Sequence, residues 1–224
     1  MARTVKKPDV RKNEILDAAE TLFIEKGYEN TSIKDIINKV GVAHGLFYYY
    51  FKSKEDVLNS MVKRYWIDIN RNLKPIVDDP NMNSVEKIEN VFMKGIIMKE
   101  KKMGILAYVV KMDDPLFLNK LINFGIEIFV PQLTKIVNQG IEEKVFDIEH
   151  PETALKIFFV GSAYAYDVKM LQSDQRKYVE TIITMFSMLE RMLGAKKGTF
   201  KGLTDTIRVM VNDILNKYHD ALVN

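Results

Sequence analysis

Apolar residues recur at intervals of three and four along almost the whole chain, the spacing that lines one face of a helix. Ile15, Ala18, Ala19, Leu22 and Phe23 form the first such face, opening after Pro8-Asp9 and stopping at Gly27, a start and a stop that suit a helix. A short second helix carries Ile33, Ile36, Ile37 and Val40, with Ser32 as its N-cap and Asp35 three residues on as a weaker capping box. Gly41 ends it, and a third short segment, AHGLFYYYF, follows. Ser53 and Asp56 repeat the capping pattern and open a fourth helix that runs to Pro75. Its row Val57, Met61, Tyr65, Ile69 and Leu73 has Leu58, Val62 and Trp66 beside it, a stripe wide enough to meet partners on two sides. At 1.5 Å per residue this helix is about 33 Å long.

The remainder has the same period. A helix begins near Ser84, Lys99 to Met103 make a basic junction, and the apolar segment ILAYVVKM follows. Asp113-Asp114-Pro115 breaks the chain and starts a long helix that Pro131 should kink, because proline lacks the N–H donor and clashes with the preceding turn. EKVFDIEHP is a loop, and Pro151 leads helices over 152–172 and 175–193, joined at Gln172-Ser173-Asp174. AKKGTFKG links them to a last helix over 203–221. No long alternating run and no Asn-Gly or Asp-Gly hairpin turn interrupts this. The fold class is all-α: a three-helix helix-turn-helix domain over residues 1–54, and a larger helical bundle over 55–224.

Composition narrows the chemistry. Among 224 residues there is no cysteine, which removes disulfides, thiolate nucleophiles and sulfur-ligated zinc. His44, His150 and His219 lie far apart without metal-ligand spacing, so no metal and no cofactor is expected. No apolar run approaches the roughly 20 residues of a membrane span. The N-terminus is basic but has no apolar h-region, so it is not read as a secretory signal, and a cytoplasmic protein is expected. The net charge of +3 is uneven: residues 1–54 hold 10 basic and 7 acidic groups, while the rest balances at 23 and 23. Arg3, Lys6, Lys7, Arg11 and Lys12 crowd the leading arm, which is either a solvated terminus or a phosphate-seeking tail.

Two short helices joined by Val40-Gly41-Val42 and packed on a longer first helix are the parts of a helix-turn-helix. In that motif the N-terminal residues of the second helix meet base edges in the major groove. Ala43, His44 and Gly45 hold those positions. Small Ala43 and Gly45 let the backbone approach DNA, and His44 can donate or accept at a base edge. A lone exposed histidine is usually only a surface residue; inside this motif the recognition role is preferred. Of the aromatic run, Phe47 and Phe51 are expected to face inward.

The segment IKDIINKVGVAHGLFYYYFKSKEDVL resembles the DNA-binding signature of the TetR (tetracycline-repressor) family of transcription regulators, and the resemblance extends from Ile15 to Leu58, taking in AAETLFIEKGY at the end of the first helix. The run G-V-x-x-G-x-x-Y-x-Y-F-x-S-K-E is far more specific than a generic helix-turn-helix. The resemblance implies a repressor that binds palindromic operator DNA as a homodimer and is released by a small-molecule effector held in the C-terminal domain. It implies phosphate contacts from Thr31, Ser32, Tyr48 and Lys54, base proximity for Ala43, His44 and Gly45, and a place for Tyr50 where the family often has histidine or tyrosine. Ala43 departs from the serine or threonine common there, removing a side-chain cap. The effector cavity it implies lies among the fourth to eighth helices, and the candidate lining is Tyr65, Trp66, Ile69, Met93, Ile97, Tyr108, Met112, Phe124, Phe158 and Tyr164, for a hydrophobic ligand. For the dimer, Val179, Ile182, Phe186, Leu189 and Leu193 form a seam near heptad spacing on the penultimate helix, with Phe158, Gly161 and Ala165 on the helix before it.

Two other classes fit the sequence less well. An enzyme would need a nucleophile–base pair, a metal cluster or a phosphate loop, and none is visible, so no catalytic residue is assigned. A helical ligand-binding scaffold with a silent helix-turn-helix would not need the intact Tyr48, Lys54 and basic arm.

Overall fold

The computed structural model describes residues 8–101, 115–165 and 175–209. The leading Arg3, Lys6 and Lys7, the ILAYVVKM segment with Tyr108 and Met112, the joint at Gln172-Ser173-Asp174 and the last helix beyond 209 lie outside them. Within them all regular structure is helical.

The helices are α1 (Pro8–Lys26), α2 (Ile33–Val40), α3 (His44–Tyr50), α4 (Lys54–Val77), α5 (Ser84–Lys101), α6 (Pro115–Ile128), α7 (Val130–Glu142), α8 (Pro151–Ala165) and α9 (Gln175–Met192), followed by helical residues 201–209, here α10. The chain divides into two compact units. The first holds α1, α2, α3, α4 as far as Ile67, and α6 as far as Leu121. The second holds α4 from Asp68, most of α5, α6 from Ile122, and α7 to α10. The unit boundary therefore runs inside α4 rather than at residue 54, because Val57, Leu58, Met61 and Val62 are buried and Arg64 pairs with Asp17 and Glu20 of α1 at 2.7 and 3.0 Å.

In the first unit the caps expected from sequence are made. Gly27 closes α1 with φ of 88°, and Gly41 closes α2 at φ of 70°, its N–H donating to the Ile37 carbonyl at 2.9 Å. Both are left-handed conformations that glycine adopts without penalty. Ser32 and Asp35 form a complete capping box. Ala43 precedes α3 without a side-chain cap. Ile15, Leu16, Ala19, Phe23, Ile36, Phe47 and Phe51 are buried here.

The second unit is built on one apolar cluster that includes Leu73 and Val77 of α4, Ile88 and Val91 of α5, Leu133 and Val137 of α7, Leu155 and Phe158 of α8, and Ile182, Phe186 and Leu189 of α9. Pro131 does break the expected long helix: α6 stops at Ile128 and α7 restarts with the proline in its first turn. Gly140 is required by packing, since a Cβ there would come within 2.1 Å of the Phe146 ring. A buried polar group ties this unit together. The Lys87 ammonium donates to the Val77 carbonyl at 2.9 Å and to Gln139 Oε1 at 2.8 Å, and Glu143 Oε2 accepts from the Ser84 hydroxyl at 2.6 Å. Burial works against the Glu143 charge, but its bonds from Ser84 and Gln139 outweigh it and hold the carboxyl below its ordinary range.

The expected dimer seam needs correction. Ile182, Phe186, Leu189 and Leu193 are 5, 4, 1 and 0% exposed, and with Phe158 they fill this chain's own core. Their period is the signature of a core-facing helix. Val179 is half-buried and packs on the same cluster. Gly161 and Ala165 do face outward.

Candidate functional site

α3 is divided between two faces by its own sequence. Phe47 and, just beyond the helix, Phe51 are buried with ring centroids 5.9 Å apart, and they anchor the helix to the first unit's core. His44, Gly45, Tyr48 and Tyr49 are exposed, the last by 74%. His44 and Tyr48, one turn apart, pack ring to ring at 4.8 Å, so each limits the rotamers of the other. A Cβ at Gly45 would meet nothing within 4 Å, which leaves a flat approach to the backbone at the start of the helix. Tyr50 is half-buried between Tyr49 and Phe51. Sequence reasoning named Tyr48 and Tyr50 but passed over Tyr49; the exposed face follows from the inward period of Phe47 and Phe51.

Three of the expected phosphate contacts turn out to have internal duties. Thr31 is 1% exposed. Its hydroxyl donates to the Gly27 carbonyl at 2.7 Å and reaches the Leu22 carbonyl at 3.3 Å, and its N–H goes to Tyr28. It closes the C-terminal end of α1, and its expected hydroxyl contact with DNA is corrected on that ground. Ser32 remains exposed, although its N–H donates to Asp35 Oδ2 at 2.9 Å and its hydroxyl accepts from the Asp35 N–H at 3.1 Å. The bonds from the Ser32 backbone and hydroxyl hold the Asp35 carboxyl below its usual range. The Lys54 ammonium donates to the Tyr28 carbonyl at 2.7 Å and the Glu29 carbonyl at 3.3 Å, 4.2 Å from the Tyr28 ring centre. Lys54 thus joins the start of α4 to the end of α1. Nothing in the sequence signals this, because the partners are 25 residues away.

The candidate effector residues are more scattered. Tyr65 and Trp66 belong to the first unit; burial pushes the Tyr65 hydroxyl up to about 12, and the Trp66 indole N–H donates to the Leu121 carbonyl at 2.8 Å. Ile69, Met93 and Phe158 belong to the second unit's apolar cluster, and Phe124 is half-buried. Tyr164 is 62% exposed and does not line an interior; it is corrected to a surface residue. Nothing is described of the Ile97 side chain. Among the described residues no group of histidines and carboxylates could hold a metal ion, and no helix is long and apolar enough to cross a membrane.

Two short helices packed on the longer α1, the second of them with one aromatic face inward and one polar face open, define a helix-turn-helix DNA-binding module. The family model described as "Bacterial regulatory proteins, tetR family" matches residues 15–61, the span from the first core residue of α1 into α4. Over those residues the chain is similar to the DNA-binding region of that family. It is 26% identical over 170 residues to the transposon Tn10 TetC protein of Escherichia coli, covering 74% of this chain and 85% of that one. It is 28% identical over 151 residues to the HTH-type transcriptional repressor KstR2 of Mycobacterium tuberculosis, covering 65% and 74%. The crystal structure of RolR in complex with resorcinol shares the fold, with a TM-score of 0.64 at 17% identity over 88% of this chain and 94% of that one.

Proposed function

We propose that the chain is a cytoplasmic transcriptional repressor that binds a two-fold operator as a homodimer and is released by a small-molecule effector in its second unit. The observation that carries this is the outward face of α3: His44 braced by Tyr48 beside an unobstructed Gly45, on a helix fixed from behind by Phe47 and Phe51. Such a face inserts without rearrangement, and His44 can read a base edge. Tyr48, Tyr49 and Lys52, exposed around it, suit phosphate oxygens. The match of residues 15–61 to that family model and the repressor among the similar proteins support the regulatory role.

The same reading makes a homodimer. With the α9 seam buried, the outward stripe of α8 is the better candidate surface: Ile157 is 65% and Tyr164 62% exposed, with Gly161 and Ala165 beside them, and Met188 of α9 is 54% exposed. Two recognition helices then meet half-sites about 34–36 Å apart, or a multiple of that.

A gel shift of the full-length chain with the DNA upstream of its own coding region tests the proposal. Binding should fall steeply between low and moderate salt, with each phosphate contact contributing about 0.9 to the log–log slope. Selection on randomised duplexes should show His44→Ala changing the preferred sequence, and Tyr48→Phe weakening all sequences alike. Salt-insensitive binding, or none, would overturn the regulator and leave a helical ligand-binding scaffold.

A further inference from the structure

Two polar atoms in the second unit are closed off from solvent and have no hydrogen-bond partner among the described residues: Asn70 Oδ1 and Ser162 Oγ. Each interrupts an otherwise apolar row. On α4 the row runs Asn70, Leu73, Val77, with the other two buried; on α8 it runs Leu155, Phe158, Ser162. Leu73, Val77, Leu155 and Phe158 belong to one apolar cluster, so both rows feed the same core. A buried acceptor left unpaired is destabilising. A molecule from outside the fold that pairs with such groups is one reason for them to persist.

We infer that Asn70 and Ser162 are the polar anchors for the effector, and that the buried part of that effector is an uncharged apolar body bearing an O–H or N–H donor. This rests on the effector-released repressor proposed above. The asparagine oxygen can only accept, so the ligand must donate to it; the serine hydroxyl can do either. Neither group neutralises a charge, and an unpaired ionised group in this core would be far more costly than an unpaired hydroxyl. Saturated hydrocarbons and ethers without a donor are therefore poor ligands, and alcohols, phenols and amides of matching shape are good ones.

The test uses matched pairs of probes on the full-length chain: 1-dodecanol against its methyl ether, and resorcinol against its dimethyl ether, each followed by calorimetry. The donor-bearing member of a pair should bind about tenfold more tightly, the ratio that one hydrogen bond of about 1.4 kcal/mol gives. In Asn70→Leu that preference should fall to about twofold or less, and Ser162→Ala should reduce it in part. Without ligand, both variants should melt at or above the wild-type temperature, since each removes an unpaired buried atom. Equal binding of alcohol and ether, an undiminished preference in both variants, or no binding of any donor-bearing probe overturns the inference. A lower melting temperature in both variants also overturns it, because the atoms would then have a structural partner such as buried water. Operator binding is scored separately: intact gel shifts with failed probe binding reject only the donor-bearing ligand class, and lost gel shifts reject the repressor itself.

Discussion

Gly45 sits in the first turn of α3 with open space where a Cβ would project. The fold gains nothing from a glycine there, and a helical glycine is less favourable than alanine by about 1 kcal/mol. Gly45→Ala is accordingly expected to raise the melting temperature while weakening operator binding, and denaturation paired with a gel shift checks both signs. Thr31 behaves in the opposite way. Its hydroxyl is buried on two carbonyls, so Thr31→Val should lower stability by about 1–3 kcal/mol through the carbonyls it leaves unpaired. It should leave the salt slope of DNA binding unchanged, and a slope smaller by about one would restore Thr31 as a phosphate contact. The Asp35 carboxyl supplies a pH signature. Its folded pKa lies below the unfolded one, so the charged form contributes stability above the ordinary carboxylate range, and that contribution disappears as pH falls through the folded value. The stability gap between wild type and Asp35→Asn should be open at neutral pH and close in strong acid, as denaturant melts across the range would show.

Between helices, Arg64 is the main polar tie of α4 to α1, reaching Asp17, Glu20 and, at 3.4 Å, Asn13 Oδ1. Arg64→Met keeps the aliphatic stem and removes the charge. It should destabilise the first unit by about 1 kcal/mol at low salt and by less at high salt, since partly exposed pairs are screened. A salt-independent loss would mean that the stem, and not the charge, is what matters. This scale also shows what a sequence can and cannot reveal. The caps at Ser32, Gly27 and Gly41 and the inward pair Phe47 and Phe51 were all legible, because they depend on neighbours within one turn or on helical period. The Arg64 and Lys54 ties were not, since their partners lie 25 to 51 residues away. The α9 seam failed for a different reason. A heptad-like stripe shows that a helix has an apolar face, but not whether this chain or a second copy covers it.

For the whole molecule, the proposed dimer and the proposed release are linked. The outward α8 stripe predicts that Ile157→Glu with Tyr164→Glu yields a folded monomer, because neither side chain contributes to the core. Phe186→Ala, by contrast, should cost about 3–5 kcal/mol as a core cavity and disturb folding first. Sedimentation with circular dichroism separates the two outcomes, and a double variant that remains dimeric would exclude this face. α4 is one uninterrupted helix of 24 residues, beginning beside α3 in sequence and carrying Asn70 more than four turns later. Effector and operator binding should therefore oppose each other, and each ligand must weaken the other by the same factor. Equal effector affinity with and without operator would mean that the sites are uncoupled.

Trp66 is the only tryptophan in the chain, 8% exposed, with its indole N–H held by the Leu121 carbonyl. Excited at wavelengths that tyrosine does not absorb, the protein's ultraviolet emission is thus a signal from one site, at a hydrogen bond between α4 and α6. Emission should be blue of free tryptophan at rest and move to the red when that bond opens and water reaches the ring, giving a label-free optical record of this region. Trp66→Phe should abolish the signal. In the wild type, a red shift that comes before the loss of helical circular dichroism during a melt would show α6 parting from α4 ahead of global unfolding.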